Sequence, residues 1–310
     1  MASGRFAPSP TGPLHLGNLR TALLAWLFAR STGSRFLLRM EDLDRVQASA
    51  DHEASQRRDL AALGLHWDGE VVHQSERFGR YEAAIGELEQ AGLTYACYCT
   101  RREIREAASA PHASPVPEGA YPGTCRDLTA AEAAARAAGG RPPALRLRAQ
   151  VAELTVADDL LGPITASVDD VVLRRNDGVP AYNLAVVVDD AAQGVEQVVR
   201  GDDLASSAPR QRHLAVLLGL PAVRYAHVPL VLAASGARLA KRDGATTLAD
   251  QGRRGMSPEQ VLALLGASSG LCEPDERVTA DLLRDRFDPG ALLRTPWVPG
   301  AAVLGDEAAR

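Results

Sequence analysis

The sequence is almost devoid of lysine. Of its 34 lysine and arginine side chains a single one, Lys241, is lysine. The two residue types serve about equally well on a solvated face, so the position to explain is the exception, in "GARLAKRDGATTL". Aromatic residues make up only 5% of the chain, and no nucleobase-reading motif stands out from aromatics or charge. The net charge of −5 excludes a molecule that attracts nucleic acid as a whole, so any RNA contact must use a local arginine face. Two common nucleotide motifs are missing. Ala240 and Arg242 flank Lys241 where a Walker A loop needs Gly and Ser or Thr, and no two glycines are spaced G-x-G. No secretory signal is visible, and the N-terminal apolar run "TALLAWLFA" is too short to span a bilayer. It reads as a buried helix of a cytoplasmic protein without membrane partners. Cysteine is limited to four residues, and Cys97 and Cys99 are poorly spaced for a mutual disulfide, so metal binding is preferred to a disulfide framework.

What is present fits two domains with a sizeable core in 310 residues. "GRFAPSPTGPLHLGNLRTALLAWLFAR" reads as a strand, a Pro/Gly-rich loop and a helix from about Leu16 to Arg30, with Leu19, Leu23, Leu24 and Leu27 at helical spacing. "SRFLLRM" is a second strand ending at "EDLD". Helices follow over Asp51–Leu63 and Glu76–Ala91, each stopped by glycine. This alternation predicts an α/β fold with a parallel sheet. The pattern then changes. A Pro/Ser/Gly-rich stretch, a short helix at Ala130–Ala138, and the segments "ALRLRAQ", "LTVADD", "ITASVDDVVLRR" and "AYNLAVVVDD", all read as strands, predict an inserted α+β region. The expected division is a split catalytic domain at 1–94 and 183–235, an insertion at 95–182, and a loop plus helical segment at 236–310.

"GPLHLGN", Gly12 to Asn18, lies between a strand and a helix. Helix N-terminal N–H groups favour phosphate, His15 is placed to hydrogen-bond phosphoryl oxygens, and Gly17 lets a flat base approach the backbone. A plain strand–helix turn would use the same residues.

The run "RFAPSPTGPLHLGNLRTAL" resembles the first signature of class I aminoacyl-tRNA synthetases, the HIGH motif, here His15-Leu16-Gly17-Asn18, in the form typical of the glutamyl branch. "RMEDLDR", "AYNLAVVVDD" and "VVRGDDL" extend the likeness. The second signature, KMSKS, aligns with Arg238-Leu239-Ala240-Lys241-Arg242, so the resemblance runs from Gly4 to about Thr247. It implies a Rossmann-like parallel sheet and an ATP site made by His15, Gly17, Asn18 and Lys241, with Mg²⁺ arriving on ATP. His15 and Lys241 would act catalytically. A compact, mobile ammonium can follow a phosphate as it moves, whereas a guanidinium prefers fixed bidentate geometry, which accounts for the lone lysine. Arg238 and Ala240 depart from the signature and put the rate in doubt.

The resemblance also implies an L-glutamate site at Arg5, Ala7, Ser9, Glu41, Tyr182 and Arg200. The arginines would take carboxylates and Glu41 the substrate ammonium, a charge pattern that discriminates against apolar amino acids. The plain alternative for Glu41 is an N-cap or an ion pair with Arg39 or Arg45, and the set taken together favours the site. His213, Asp189 and Asp190 read as structural or helix-capping. In the inserted region the glutamyl family carries one structural zinc. Cys97, Cys99 and Cys125 supply three ligands, and Tyr121, which stands where shortened relatives have a tyrosine, is the expected fourth. His112 in the same loop is the ordinary competitor. Three reduced cysteines without metal is the remaining alternative.

After Lys241 the sequence offers only a short helical segment, where a glutamyl-tRNA synthetase continues into an anticodon-binding region. A free-standing catalytic half without that domain, expected as a monomer, resembles the family of glutamyl-queuosine tRNA(Asp) synthetases. Members of that family activate glutamate without tRNA and attach it to the queuosine base of tRNA(Asp). Val186 is expected to favour the same family. Three readings stay open beside it: a truncated enzyme charging the 3′ end of tRNA(Glu), a non-catalytic RNA-binding paralogue, and a small nucleotidylyltransferase of the HxGH type.

Overall fold

The computed structural model describes residues 2–108, 121–233, 235–237, 239 and 246–304. Lys241, with Arg238, Ala240 and Arg242, and also His112, lie outside the described residues.

β1 (Ser3–Phe6) runs through the Pro/Gly loop into α1 (Leu16–Arg30), which returns the chain to β2 (Arg35–Met40), parallel to β1 with Gly4 beside Phe36. A parallel return needs a crossover, and the helix supplies it. Leu16, Leu19, Leu23 and Leu27 of α1 are fully buried, as the apolar run predicts. Gly33, at φ +66°, ends the α1 turn in a conformation that a side chain would strain. The chain continues through α2 (Ala50–Ala62), β3 (Val72–His73), α3 (Phe78–Gln90), β4 (Thr94–Cys97), α4 (Arg101–Ala108), α5 (Ala130–Ala137), β5 (Ala144–Leu147), β6 (Glu153–Asp158), β7 (Gly162–Ser167) and β8 (Val172–Arg174). It then forms α6 (Tyr182–Ala192), β9 (Gln197–Gly201), α7 (Ala208–Leu217), β10 (Arg224–Val228), α8 (Leu248–Arg253), α9 (Pro258–Ala267), α10 (Ala280–Asp285) and α11 (Ala301–Leu304).

The main sheet has seven strands in the order β3-β2-β1-β9-β10-β6-β7, parallel except for the last pair. Alternate residues of its central strands enter different cores. Phe36, Leu38, Val199 and Ala226 pack with α1, α9 and α10, whereas Leu37, Val198 and Tyr225 pack with Ala208 of α7. That period-two division is what a sheet buried on both faces requires. From β1 the chain moves outward to β2 on one side and later returns as β9 on the other. The crevice beyond the carboxyl ends of β1 and β9 is therefore a topological switch point, where open α/β sheets bind ligands.

The structure differs from the sequence reading at α6. "AYNLAVVVDD" is not a strand. Residues 182–192 form α6, despite the β-branched run, because Leu184, Ala185, Val186 and Val187 are buried together with Tyr81, Ile85 and Leu88 of α3 and Leu214 of α7. Tertiary packing overrides the local propensity. The strands of segment 95–182 divide between two sheets. β4, β5 and β8 form a separate antiparallel sheet, while the β6–β7 hairpin extends the main sheet through the pairing of Asp158 with Tyr225. Among the described residues no helix is long and apolar enough to cross a membrane.

Candidate functional site

A cavity of about 670 Å³ opens at the switch point. Its walls include Arg5, Ala7 and Ser9 from β1 and the loop after it, His15, Gly17 and Asn18 at the start of α1, Glu41 just beyond β2, Tyr182 at the start of α6, and Arg200 of β9. All the described residues expected to hold ATP and glutamate thus face one space. Leu239, from the segment that carries Lys241, lines the same cavity and is buried.

His15 is the N-cap of α1. Its Nδ1 accepts the backbone N–H groups of Gly17 at 3.1 Å and Asn18 at 3.3 Å, and the Asn18 side chain accepts the His15 N–H at 3.3 Å. A ring nitrogen that accepts cannot carry a proton, so the neutral ring has its proton on Nε2. The α1 terminus differs here from the sequence expectation. Leu16 N donates to Thr246 O at 2.9 Å and Leu19 N to His15 O, so the first N–H groups are already committed, and the imidazole stands where a phosphate was expected to meet the backbone. Gly17 is small for a related reason: a Cβ there would lie 3.0 Å from the His15 ring and 3.4 Å from Val231.

The Arg5 end of the cavity adjoins a buried charge cluster. Arg5 donates from Nε to Asp190 at 3.3 Å and from Nη1 to Val199 O. Asp190 also accepts from Arg39 at 2.7 Å, and Arg39 reaches Glu41 at 3.4 Å. Burial alone would raise the Asp190 carboxyl, but the guanidiniums of Arg5 and Arg39 outweigh it and hold it below the usual range. Glu41 goes the other way: burial raises it, and Arg39 and Arg5 only partly compensate. A ligand ammonium would supply the missing positive charge. Asp189 accepts from Gln74, Arg77 and Tyr81 and belongs to the packing of α6. Neither aspartate caps a helix. Both sit near the carboxyl end of α6, where the helix dipole disfavours anions, and that mismatch in an apolar helix is the signal that buried cations wait for them.

Arg200 is equally well held. It donates from Nε to His227 Nε2 at 3.0 Å, from Nη1 to Gln211 at 2.8 Å and from Nη2 to Leu204 O at 3.2 Å. His213 accepts the Gln150 N–H at 3.0 Å and is structural, as expected. Val186 is 1% exposed within the core and lies off the cavity wall, so it carries no information about the ligand.

A second cavity of about 450 Å³ shares Ser9, Glu41 and Tyr182 with the first. Arg101, Arg141, Arg146 and Arg175 line it, forming the local basic face that the composition left unplaced. Those arginines come from three separate segments, so no run of charge marks them in the sequence.

Beside it, the Sγ atoms of Cys97, Cys99 and Cys125 lie within 4.8 Å of one another. The Tyr121 oxygen completes the group. It is 3.4 Å from Cys97 Sγ and 3.7 Å from Cys99 Sγ, and it accepts the Cys125 N–H at 2.8 Å. Tetrahedral zinc with bonds of about 2.3 Å to sulfur spaces its ligands by about 3.8 Å. The four donor atoms fit that size. Burial pushes the Cys99 thiol up to about 12 and raises the Tyr121 hydroxyl above its ordinary value, so a cation is what would make these groups anionic at neutral pH.

Comparison with known proteins agrees with this geometry. Residues 2–274 match the family described as tRNA synthetases class I (E and Q), catalytic domain. A glutamyl-Q tRNA(Asp) synthetase of Nocardia farcinica is 66% identical over 296 residues, covering 96% of this chain and 92% of the relative. One from Symbiobacterium thermophilum is 47% identical over 308 residues, covering 96% and 95%. Among solved structures, a glutamate tRNA ligase from Elizabethkingia meningosepticum, crystallised in complex with its amino acid, superposes with a TM-score of 0.79 at 25% identity. It covers 99% of this chain and 68% of that one. The chain therefore belongs to the class I tRNA synthetases of the glutamyl and glutaminyl (E and Q) kind, matching their catalytic domain.

Proposed function

We propose that this protein is a cytoplasmic ligase that activates L-glutamate with ATP, without needing tRNA, and then transfers the glutamyl group to the queuosine base of tRNA(Asp). The observation that carries the reading is the convergence on one cavity of two buried arginines, the half-buried carboxylate of Glu41 and the His15-capped start of α1. The likeness to relatives named glutamyl-Q tRNA(Asp) synthetase supports the choice of acceptor.

In the first step the substrate's α-carboxylate attacks the α-phosphorus of ATP in line, releasing pyrophosphate and leaving glutamyl-adenylate. Arg5 and Arg200 bind the carboxylates and Glu41 binds the ammonium, so the charged ligand replaces solvent with prearranged partners. His15 donates from Nε2 to phosphoryl oxygens, because its Nδ1 is committed to the backbone. Lys241 follows the phosphates as they separate. The second step needs no covalent nucleophile, since the adenylate is already activated. A hydroxyl of the acceptor attacks the acyl carbon and AMP leaves. The arginine-lined cavity adjoining the glutamate end gives the anionic RNA a path to that carbon. Cys97, Cys99, Tyr121 and Cys125 would hold one structural zinc, which when bound ties β4 to the Tyr121–Cys125 turn.

Incubation of the protein with labelled glutamate, ATP and separate RNAs tests this reading. Label on queuosine-containing tRNA(Asp), and none on the same RNA lacking queuosine, is expected. Label at the 3′ end of tRNA(Glu) would replace it with the charging enzyme.

A further inference from the structure

Arg200 does not reach the cavity unaided. Behind it lies a chain of buried polar groups that the reaction itself does not use. Arg200 Nε donates to His227 Nε2 at 3.0 Å, and His227 Nδ1 lies 2.6 Å from Asp158 Oδ2. The His227 and Asp158 side chains are both fully buried. An arginine can only donate, so His227 Nε2 must accept, and the ring proton must sit on Nδ1, donated to Asp158. The Asp158 carboxylate is anchored in turn. Its Oδ1 accepts the N–H groups of Leu160 and Leu161 at 2.9 Å each, and the His227 N–H donates to Oδ2 at 3.1 Å. Burial would raise the Asp158 carboxyl, but His227 and those two N–H groups outweigh it and keep it an anion. The Tyr225 ring stacks on His227 with centroids 5.7 Å apart, and it also carries the Arg200 guanidinium 5.2 Å from its centroid. With Gln211 and Leu204 O each taking another N–H, three of the five donors of Arg200 are committed, and one on each Nη is left for a ligand among the described residues.

We propose that Asp158 and His227 form a positioning relay that fixes the guanidinium of Arg200 for a carboxylate of the amino-acid substrate, with His227 held as its Nδ1–H tautomer. The proposal rests on the glutamate site above. It gives the β6–β7 hairpin a part in the reaction, because Asp158 is the last residue of β6 and pairs in register with Tyr225. A relay of this kind uses geometry instead of charge transfer: the aspartate selects the tautomer, the tautomer presents a lone pair, and the lone pair orients the arginine.

Asp158→Asn tests it with the shape kept. If Asn Oδ1 stays on the Leu160 and Leu161 N–H groups, its NH₂ faces His227 Nδ1, which must then accept. The ring proton moves to Nε2 and opposes the Arg200 N–H. We expect the KM for glutamate in pyrophosphate exchange to rise about tenfold or more, the KM for ATP to stay near that of wild type, and kcat to change less. His227→Leu should do the same, and His227→Gln, whose carbonyl can take the place of Nε2, should recover most of the glutamate affinity. A role limited to holding the hairpin on the sheet would instead lower thermal stability in all three variants and leave the glutamate KM unchanged, which overturns the proposal. The tautomer can be read in the folded wild-type protein by nitrogen-15 NMR of the histidine rings. Nδ1–H on His227 supports the relay, and Nε2–H contradicts it whatever the variants do. Absence of glutamate-dependent exchange in the wild type would remove the glutamate site itself, and the relay's role with it.

Discussion

Leu16, the first residue of α1, donates its backbone N–H to the carbonyl of Thr246 at 2.9 Å. His15 and Thr247 form an antiparallel bridge beside it, and Leu239 lines the same cavity as His15. The two signature segments, far apart in sequence, therefore meet, and Lys241 lies in the stretch between two anchored points. The described residues on either side of Lys241, Leu239 and Thr246, are held at the His15 end of the cavity.

Lys241→Arg is expected to lower the rate of glutamate activation by roughly a hundredfold while changing the KM for glutamate much less, since it acts on charge that develops during the reaction. Steady-state pyrophosphate exchange measures both quantities. Equal rates in the two proteins would remove Lys241 from the chemistry.

Arg5→Ala should raise the KM for glutamate by roughly a hundredfold, the scale for truncating one partner of a buried charge pair. The fold should survive, because Asp190 keeps Arg39 at 2.7 Å. Unfolding temperature and glutamate titration, measured on the same preparation, separate the two effects. An unchanged KM would place the carboxylate elsewhere.

The raised ionisation of Glu41 sets a pH dependence. In the proposed role the ionised form binds the substrate ammonium, and burial makes protonation begin at higher pH than in an ordinary glutamate. Glutamate affinity should therefore fall, as the pH drops, at a higher pH than an ordinary glutamate with its usual 4.5 would give. Glu41→Gln should weaken binding at neutral pH and flatten the profile. The pH dependence of the glutamate KM in both proteins checks it, and parallel profiles would exclude Glu41.

Metal analysis of the purified protein should find about one zinc per chain. Tyr121→Phe is expected to lose zinc to a chelator at least about tenfold faster than wild type, and His112→Ala to retain it. The reverse pattern would give the fourth position to His112.

The β1–α1–β2 unit was legible in the sequence, and so was the set of described residues that share one cavity wall, because a local motif carries most of them and the apolar spacing of α1 fixes where the motif sits. The supports of those residues were not. Asp190 reaches Arg5 from α6, and Asp158 reaches Arg200 through His227 from a hairpin, so each link depends on strand order that no local pattern encodes. The same cause hid α6, whose valine run favours a strand until α3 and α7 bury it as a helix.

The most direct test of glutamate activation is ATP–pyrophosphate exchange with glutamate present and every tRNA absent. Exchange that depends on glutamate is the predicted result. Exchange that appears only when tRNA(Glu) is added would contradict tRNA-independent activation, and silence under both conditions would contradict an active synthetase.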